Sequence, residues 1–327
     1  MRPEDFPSYR LSVAPMMSYT DRHFRYILRK LTKYTLLYTE MIPMDTVLRG
    51  DRKRFLEFSL EEKPLSIQFG GNDPDKLADC AAIAEDFGYD EVNLNVGCPS
   101  DRVQNGNFGA CLMLKPELVA GILKKMKSRT RLPVTVKHRI GVNGKETYED
   151  MKEFVSIVSA SGCDRFIIHA RIAVLGGLST KENRTIPPLR YQDVYRLKEE
   201  FPHLKIEING GIKDWANAAE HLKKTDGVMI GRSAYEDTYL FASADQKIFN
   251  SRENILSRKQ LLYSIVPYME NMMRNGIPAR KILTHTLNLF SGLPGARKYR
   301  QYLSENMPRI ADGIVLITEA LKLVEEG

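Results

Sequence analysis

Cysteine is scarce in this 327-residue chain, which has only Cys80, Cys98, Cys111 and Cys163. Their spacing is irregular and no CxxC pair occurs, which excludes a disulfide framework and a thiolate zinc site. Reduced thiols and no metal centre are expected. Long apolar runs are missing as well: no stretch approaches the ~20 uninterrupted apolar residues that span a bilayer. The opening MRPEDFPSYR, mixed in charge and holding two prolines, reads as neither signal peptide nor anchor. A cytoplasmic protein without membrane association is expected, and nothing points to a protein partner. Also absent is a glycine-rich GxGxxG after the first strand-like run, which removes the dinucleotide fingerprint of a doubly wound open sheet.

What is present is a large apolar fraction, 43% of residues. That is enough to build one big α/β domain and a smaller companion. The net charge of +7 is compatible with a polyanionic partner, but many soluble enzymes share it, so its placement matters more than its size.

Between residues 9 and 233 a short β-branched run repeatedly ends in small or polar residues and gives way to a segment of helical spacing. The runs are YRLSVAPM, LLYTEMIP, LSIQFGG, EVNLNVG, PVTVKHRIG, RFIIHAR, KIEINGG and GVMIGRS. Segments such as DKLADCAAIAEDFG and ELVAGILKKMKSRT place apolar residues on one helical face and charges on the other. Two start signals stand out: Ser18 three residues before Asp21, and Asp73-Pro74, with proline where a first turn tolerates it. Eight βα units predict an α/β fold of the (β/α)8 TIM-barrel type. From about residue 245 the strand-like runs stop and helical periods take over. The expected organisation is therefore a barrel over 1–244 and a helical domain over 245–327.

The helical tail contains GARKYRQYLS, whose Arg297, Lys298 and Arg300 share one stretch of helix with tyrosines among them. This is either a solvated charged face or a patch for phosphates and stacked bases.

In a barrel the C-terminal strand ends form the active face, so the residues there can be read as one set. They are Ala14 to Met17, Glu40, Gln68, Asn95 with Cys98, Lys137 with Arg139, His169 with Arg171, Asn209 to Gly211, and Gly231-Arg232. The turns NGGIKD and IGRSA fall after the seventh and eighth strands, the usual phosphate cradle of this fold, and imply a phosphate-bearing cofactor. Lys137 interrupts an apolar alternation, and burying its ammonium would cost several kcal/mol without an anionic or polar partner. It could stabilise negative charge on the pyrimidine side of a reduced flavin; a Schiff-base lysine is the rival reading. His169 fits either a cofactor contact or a structural hydrogen bond.

Cys98 differs from the other thiols. Cys80, Cys111 and Cys163 have apolar or strand-edge contexts and read as small buried hydrophobes. Cys98 instead opens the loop CPSDRVQNGNFGA, stiffened by Pro99 and with Gly106 and Gly109 as candidate hinges. It could serve as a nucleophile or as a general acid, and sequence leaves both open.

The segments APMMSYTDRHFR, IQFGG, NLNVGCPSDRV, VKHRIG, HAR, INGGI and IGRSAY, in this order, resemble the tRNA-dihydrouridine synthases over essentially the whole chain. GLSTKENRTIPPLRY and LPGARKYRQYLS further resemble the A-type subfamily, which acts on D-loop uridines 20 and 20a. The resemblance implies an FMN-dependent enzyme that uses NADPH to reduce uridine in tRNA to 5,6-dihydrouridine. It implies FMN contacts from Pro15, Met16, Met17, Gln68, Lys137, His169, Asn209, Gly210, Gly211, Gly231 and Arg232. Cys98 would be the proton donor, and Asn95, Leu178, Lys181, Arg184, Arg297 and Arg300 would contact tRNA. Two alternatives are a flavin barrel that reduces a free pyrimidine or enone, and a tRNA-binding protein without catalysis.

Overall fold

Eight parallel strands appear where the sequence rhythm puts them in the computed structural model, which describes residues 2–325. They are β1 (Leu11–Val13), β2 (Leu37–Pro43), β3 (Leu65–Gly70), β4 (Glu91–Val96), β5 (Val134–Arg139), β6 (Arg165–His169), β7 (Ile206–Asn209) and β8 (Gly227–Ile230). The sheet runs β1-β8-β7-β6-β5-β4-β3-β2. Its ends meet at Ser12 and Leu36, where Val13 N–H donates to Leu36 O and Leu36 N–H donates to Leu11 O, each at 3.0 Å. The sheet is thereby closed into a TIM barrel.

Residues alternate between the two faces of each strand, and both faces are buried. On β4 the outward side carries Val92, Leu94 and Val96, all inaccessible to solvent. The inward side carries Glu91, Asn93 and Asn95, and their partners lie across the barrel interior. Fully burying each aliphatic side chain of this kind contributes about 1.5–3 kcal/mol.

The interior is layered. Toward the strand N-termini, Arg165 pairs with Glu91 at 2.6 Å and with Glu207 at 2.9 Å, while Tyr38 Oη donates to Glu91 at 2.7 Å. Ser12 hydroxyl donates to Glu207, and Thr135 hydroxyl to Glu91. Packed with this network is an apolar cluster of Ala14, Leu36, Tyr38, Ile167 and Met229. Polar residues resume at the C-terminal mouth.

Helix starts follow local chemistry. The helix Pro74–Asp86 is capped by Asp73, whose carboxylate accepts the N–H of Asp75 at 3.0 Å and of Lys76 at 3.1 Å. The signal read at Ser18 is corrected. Asp21 caps the helix Arg22–Arg29 by accepting the N–H of His23 and Phe24, and Ser18 sits in the preceding turn with φ +65°.

The chain forms two compact units, Pro7–Met17 with Leu36–Gly231, and Met1–Phe6 with Ser18–Thr35 and Arg232–Gly327. This division differs from the expected 1–244 and 245–327. The second unit starts at Arg232 and recruits the first helix, because that helix buries an aromatic face its own unit completes. Tyr26 stacks on Tyr268 with centroids 3.8 Å apart, His23 Nδ1 lies 2.8 Å from Tyr268 Oη, and Phe24 packs against Tyr235. A helical period cannot reveal which unit will cover it.

Candidate active site

The end of β4 is shaped by one amide. Asn95 Oδ1 accepts the backbone N–H of Gly97 at 3.1 Å and of Cys98 at 3.0 Å, closing an Asx turn that directs the chain out of the strand. Asn95 Nδ2 donates to Gln68 Oε1, and Gln68 Nε2 donates to Asn93 Oδ1, both at 2.8 Å. Asn93 in turn donates to Thr135 Oγ1 at 2.8 Å. An amide chain thus fixes the start of the thiol loop from β3, β4 and β5.

Cys98 is half-buried, with Sγ 3.5 Å from Ser100 Oγ. Burial pushes the thiols of Cys80 and Cys163 up to about 12, so both are inert near neutrality. Cys111 is also raised by burial, and its Sγ contacts Phe108 O at 3.1 Å. Of these three, Cys80 is buried as expected, whereas Cys111 and Cys163 keep some exposure.

Gly109 has φ +75°, and a Cβ there would stand 2.6 Å from Cys98 O and collide with Val103. Ala110 N–H also donates to Cys98 O, at 2.9 Å. This glycine permits close packing against the cysteine carbonyl, while Gly106 has ordinary negative φ.

On the neighbouring strand, in register with Asn95, Lys137 Nζ donates to Asn209 Oδ1 at 3.1 Å, and Asn209 Nδ2 donates to Met229 O at 2.8 Å. Burial, reinforced by Arg139, pulls the Lys137 ammonium down to about 8. His169 pairs in register with both Arg139 and Asn209. Desolvation, followed by the cations Arg139, Lys137, Arg171 and Arg184, holds its imidazole well below the usual range and therefore neutral. Its Nδ1 is buried without a hydrogen-bond partner among the described residues. Gly210 and Gly211 have φ of +118° and +71°, and a Cβ on Gly211 would stand 2.6 Å from Leu189 and 2.8 Å from Tyr191 Oη. A glycine turn, an orphaned imidazole nitrogen and a lysine among other cations fit an anionic, hydrogen-bonding group such as FMN. Pro15 and Met16 are half-buried beside this chemistry on the chain after β1, and Met17 is 56% exposed. Gly231 is half-buried at the end of β8.

Arg139 belonged to the strand-end set without an assigned role. Its guanidinium donates to Gly97 O at 3.0 Å and to Ile172 O and Asn183 O, each at 2.9 Å. It therefore ties the thiol loop to the loop after β6. That second loop is built around Asn183, fully buried, whose amide accepts Val174 N–H at 2.8 Å and donates to Val174 O and Leu178 O. On its outside the loop presents Lys181, exposed, with Leu178 and Arg184 half-buried. Sequence reasoning missed Asn183, because a buried loop asparagine looks the same as a solvated one. Arg139 was detectable, since period-two alternation puts it on the face of Lys137.

The remaining candidates lie in the helical unit. Arg232, Arg297 and Arg300 are exposed, and Arg300 donates to Leu287 O and Ser291 Oγ, each at 3.4 Å. Tyr299 is removed from any stacking role: it is 1% exposed, packs on Phe290 and donates to Thr286 Oγ1.

The family model for dihydrouridine synthases matches residues 12–324. Curated relatives named tRNA-dihydrouridine(20/20a) synthase include those of Synechocystis sp., 54% identical over 95% of this chain and 93% of that protein, and of Vibrio vulnificus, 52% identical over 98% of each. The relative of the same name from Escherichia coli O6:H1 is 50% identical over 98% of this chain and 97% of its own. A solved 2-naphthoyl-CoA reductase complex superposes with a TM-score of 0.53 at 12% identity, over 72% of this chain and 50% of that one. At that identity the likeness concerns the barrel fold.

Proposed function

The chain belongs to the dihydrouridine synthase family, and from that premise we propose that it reduces uridines 20 and 20a in the D-loop of tRNA, with FMN as cofactor and NADPH as reductant. The observation that carries the reading is the pairing, in one barrel mouth, of an amide-anchored thiol with a cationic, glycine-lined cradle. Pro15 to Met17, Gln68, Lys137, His169, Asn209 to Gly211, Gly231 and Arg232 would hold the FMN. Bound there, FMN would supply hydride chemistry for reduction of the uracil C5=C6 bond.

The chain's own residues do the rest. Lys137 presents a cation held in place by Asn209. His169, kept neutral, offers Nδ1 as a hydrogen-bonding atom. Cys98 supplies the proton to C5: its S–H bond breaks as the C5–H bond forms, and water restores the proton to the thiolate. Asn95 sets the thiol's position. Uridine must leave its stacked context to reach this mouth, at a cost of a few kcal/mol. Contacts from Leu178, Lys181, Arg184, Arg297 and Arg300 to tRNA would offset that cost. Among the described residues no helix is long and apolar enough to cross a membrane, which accords with a cytoplasmic tRNA enzyme.

The test is a visible absorption spectrum of purified protein followed by an NADPH-driven assay of dihydrouridine in tRNA. Yellow protein that releases FMN and modifies positions 20 and 20a is expected. Cys98→Ala should keep FMN and NADPH oxidation but lose most product. Colourless protein that neither binds FMN nor oxidises NADPH would overturn the reading and return Lys137 as a Schiff-base candidate. Turnover of free uridine equal to that of tRNA would favour the free-pyrimidine reductase.

A further inference from the structure

Tyr19 is an aromatic side chain with no assigned work. It is 42% exposed, and its hydroxyl has no hydrogen-bond partner among the described residues. One side of its ring is backed by Tyr235, with centroids 4.4 Å apart at 50°. The turn that presents it passes through Ser18 at φ +65°, a left-handed conformation unfavourable for a non-glycine residue.

The backing ring is itself fixed. His285 Nε2 lies 3.1 Å from the Asp21 carboxylate and its Nδ1 lies 3.2 Å from Tyr235 Oη. Asn288 Nδ2 donates to Tyr235 O at 3.4 Å, and the adjacent Leu287 O accepts from Arg300. Tyr19 therefore rests on a ring held by this hydrogen-bonded frame, and Arg300 is tied to the same segment of the helical unit through Leu287, next to Asn288. Among the described residues, none of Arg297, Lys298 and Arg300 forms an ion pair.

We propose that Tyr19 is a stacking platform for a nucleotide of the bound tRNA, with phosphates of the same RNA segment on Arg297 and Arg300. This deepens the tRNA reading and rests on it. A supported, exposed ring in the same unit as cations outside any ion pair suits a nucleic acid, because every base offers a π-face and every linkage a negative charge. It also replaces the stacking role that burial denies to Tyr299.

The experiment measures binding of unmodified tRNA to the FMN-loaded protein between 50 and 200 mM salt. Tyr19→Ala should weaken binding about tenfold at every salt concentration and leave the salt slope unchanged, as expected for loss of one stacked base. Arg300→Ala should reduce the slope by about 1, and Tyr19→Phe should bind as the parent does. A Tyr19→Trp variant provides a readout independent of destabilisation: its added indole emission should be quenched by tRNA. Unchanged affinity in Tyr19→Ala, or unquenched emission in a Tyr19→Trp protein that binds tRNA, would overturn the proposal. Failure of the parent protein to bind tRNA would instead count against the functional reading.

Discussion

The side-chain carbonyl of Asn95 accepts the backbone N–H of Cys98 at 3.0 Å, so the penultimate residue of β4 also sets where the thiol loop begins. Replacing it by alanine leaves the Gly97 and Cys98 N–H groups and Gln68 Oε1 short of partners. Each unsatisfied buried group costs roughly 1–3 kcal/mol. Asn95→Ala is expected to lower dihydrouridine formation at least tenfold through kcat while retaining FMN, as measured by single-turnover product formation and flavin absorbance. An unchanged kcat would remove the positioning role.

Arg139 joins two loops through three carbonyl oxygens, and burial holds its guanidinium down at about 10, still charged at neutral pH. Arg139→Met orphans those carbonyls. The loss should be about 2 kcal/mol or more in urea unfolding, with faster proteolysis between residues 171 and 190. Wild-type proteolysis rates would show that the loop holds its shape without the clamp.

Lys137 is expected to couple FMN affinity to pH in the direction opposite to stability. Its ammonium, near 8 in the fold against 10.5 in the unfolded chain, is lost as pH rises past 8. Between 8 and 10.5 the unfolded chain binds more protons, so this group makes the apoprotein more stable with rising pH. FMN, anionic throughout, should bind less tightly at pH 9 than at pH 7. Lys137→Met should show weaker FMN binding with no such pH dependence, measured by titrating apoprotein with FMN.

Acid should weaken the fold through its histidines. Burial pulls His23 and His138 down to about 4 and holds His169 well below its usual range. As pH falls from 6.5 toward 4, the unfolded chain takes up protons that the fold refuses, and stability drops. Glu207 acts the other way: burial pushes it up to about 7, so its contribution grows as pH falls from 7 to 4.5. His138 packs between Phe154 and Phe166, and its Nε2 is buried without a hydrogen-bond partner among the described residues. Denaturant midpoints from pH 7 to pH 4 should fall less steeply in His138→Phe than in the parent.

The sequence alone determined the eight strands and their inward residues, because period-two alternation and strand-end glycines are local signals that backbone geometry enforces. It also singled out Cys98, since only that thiol follows a strand end and opens a loop. The tertiary structure decided what depends on partners distant along the chain. Arg139 reaches Asn183 across 44 residues, Lys137 reaches Asn209 across 72, and the helix Arg22–Arg29 finds Tyr268 beyond the barrel strands. Tyr299 and Tyr19 make the same point in reverse. The tyrosine set among arginines is buried and the one in an ordinary turn is exposed, because burial is settled by which surfaces meet, and no local pattern records that.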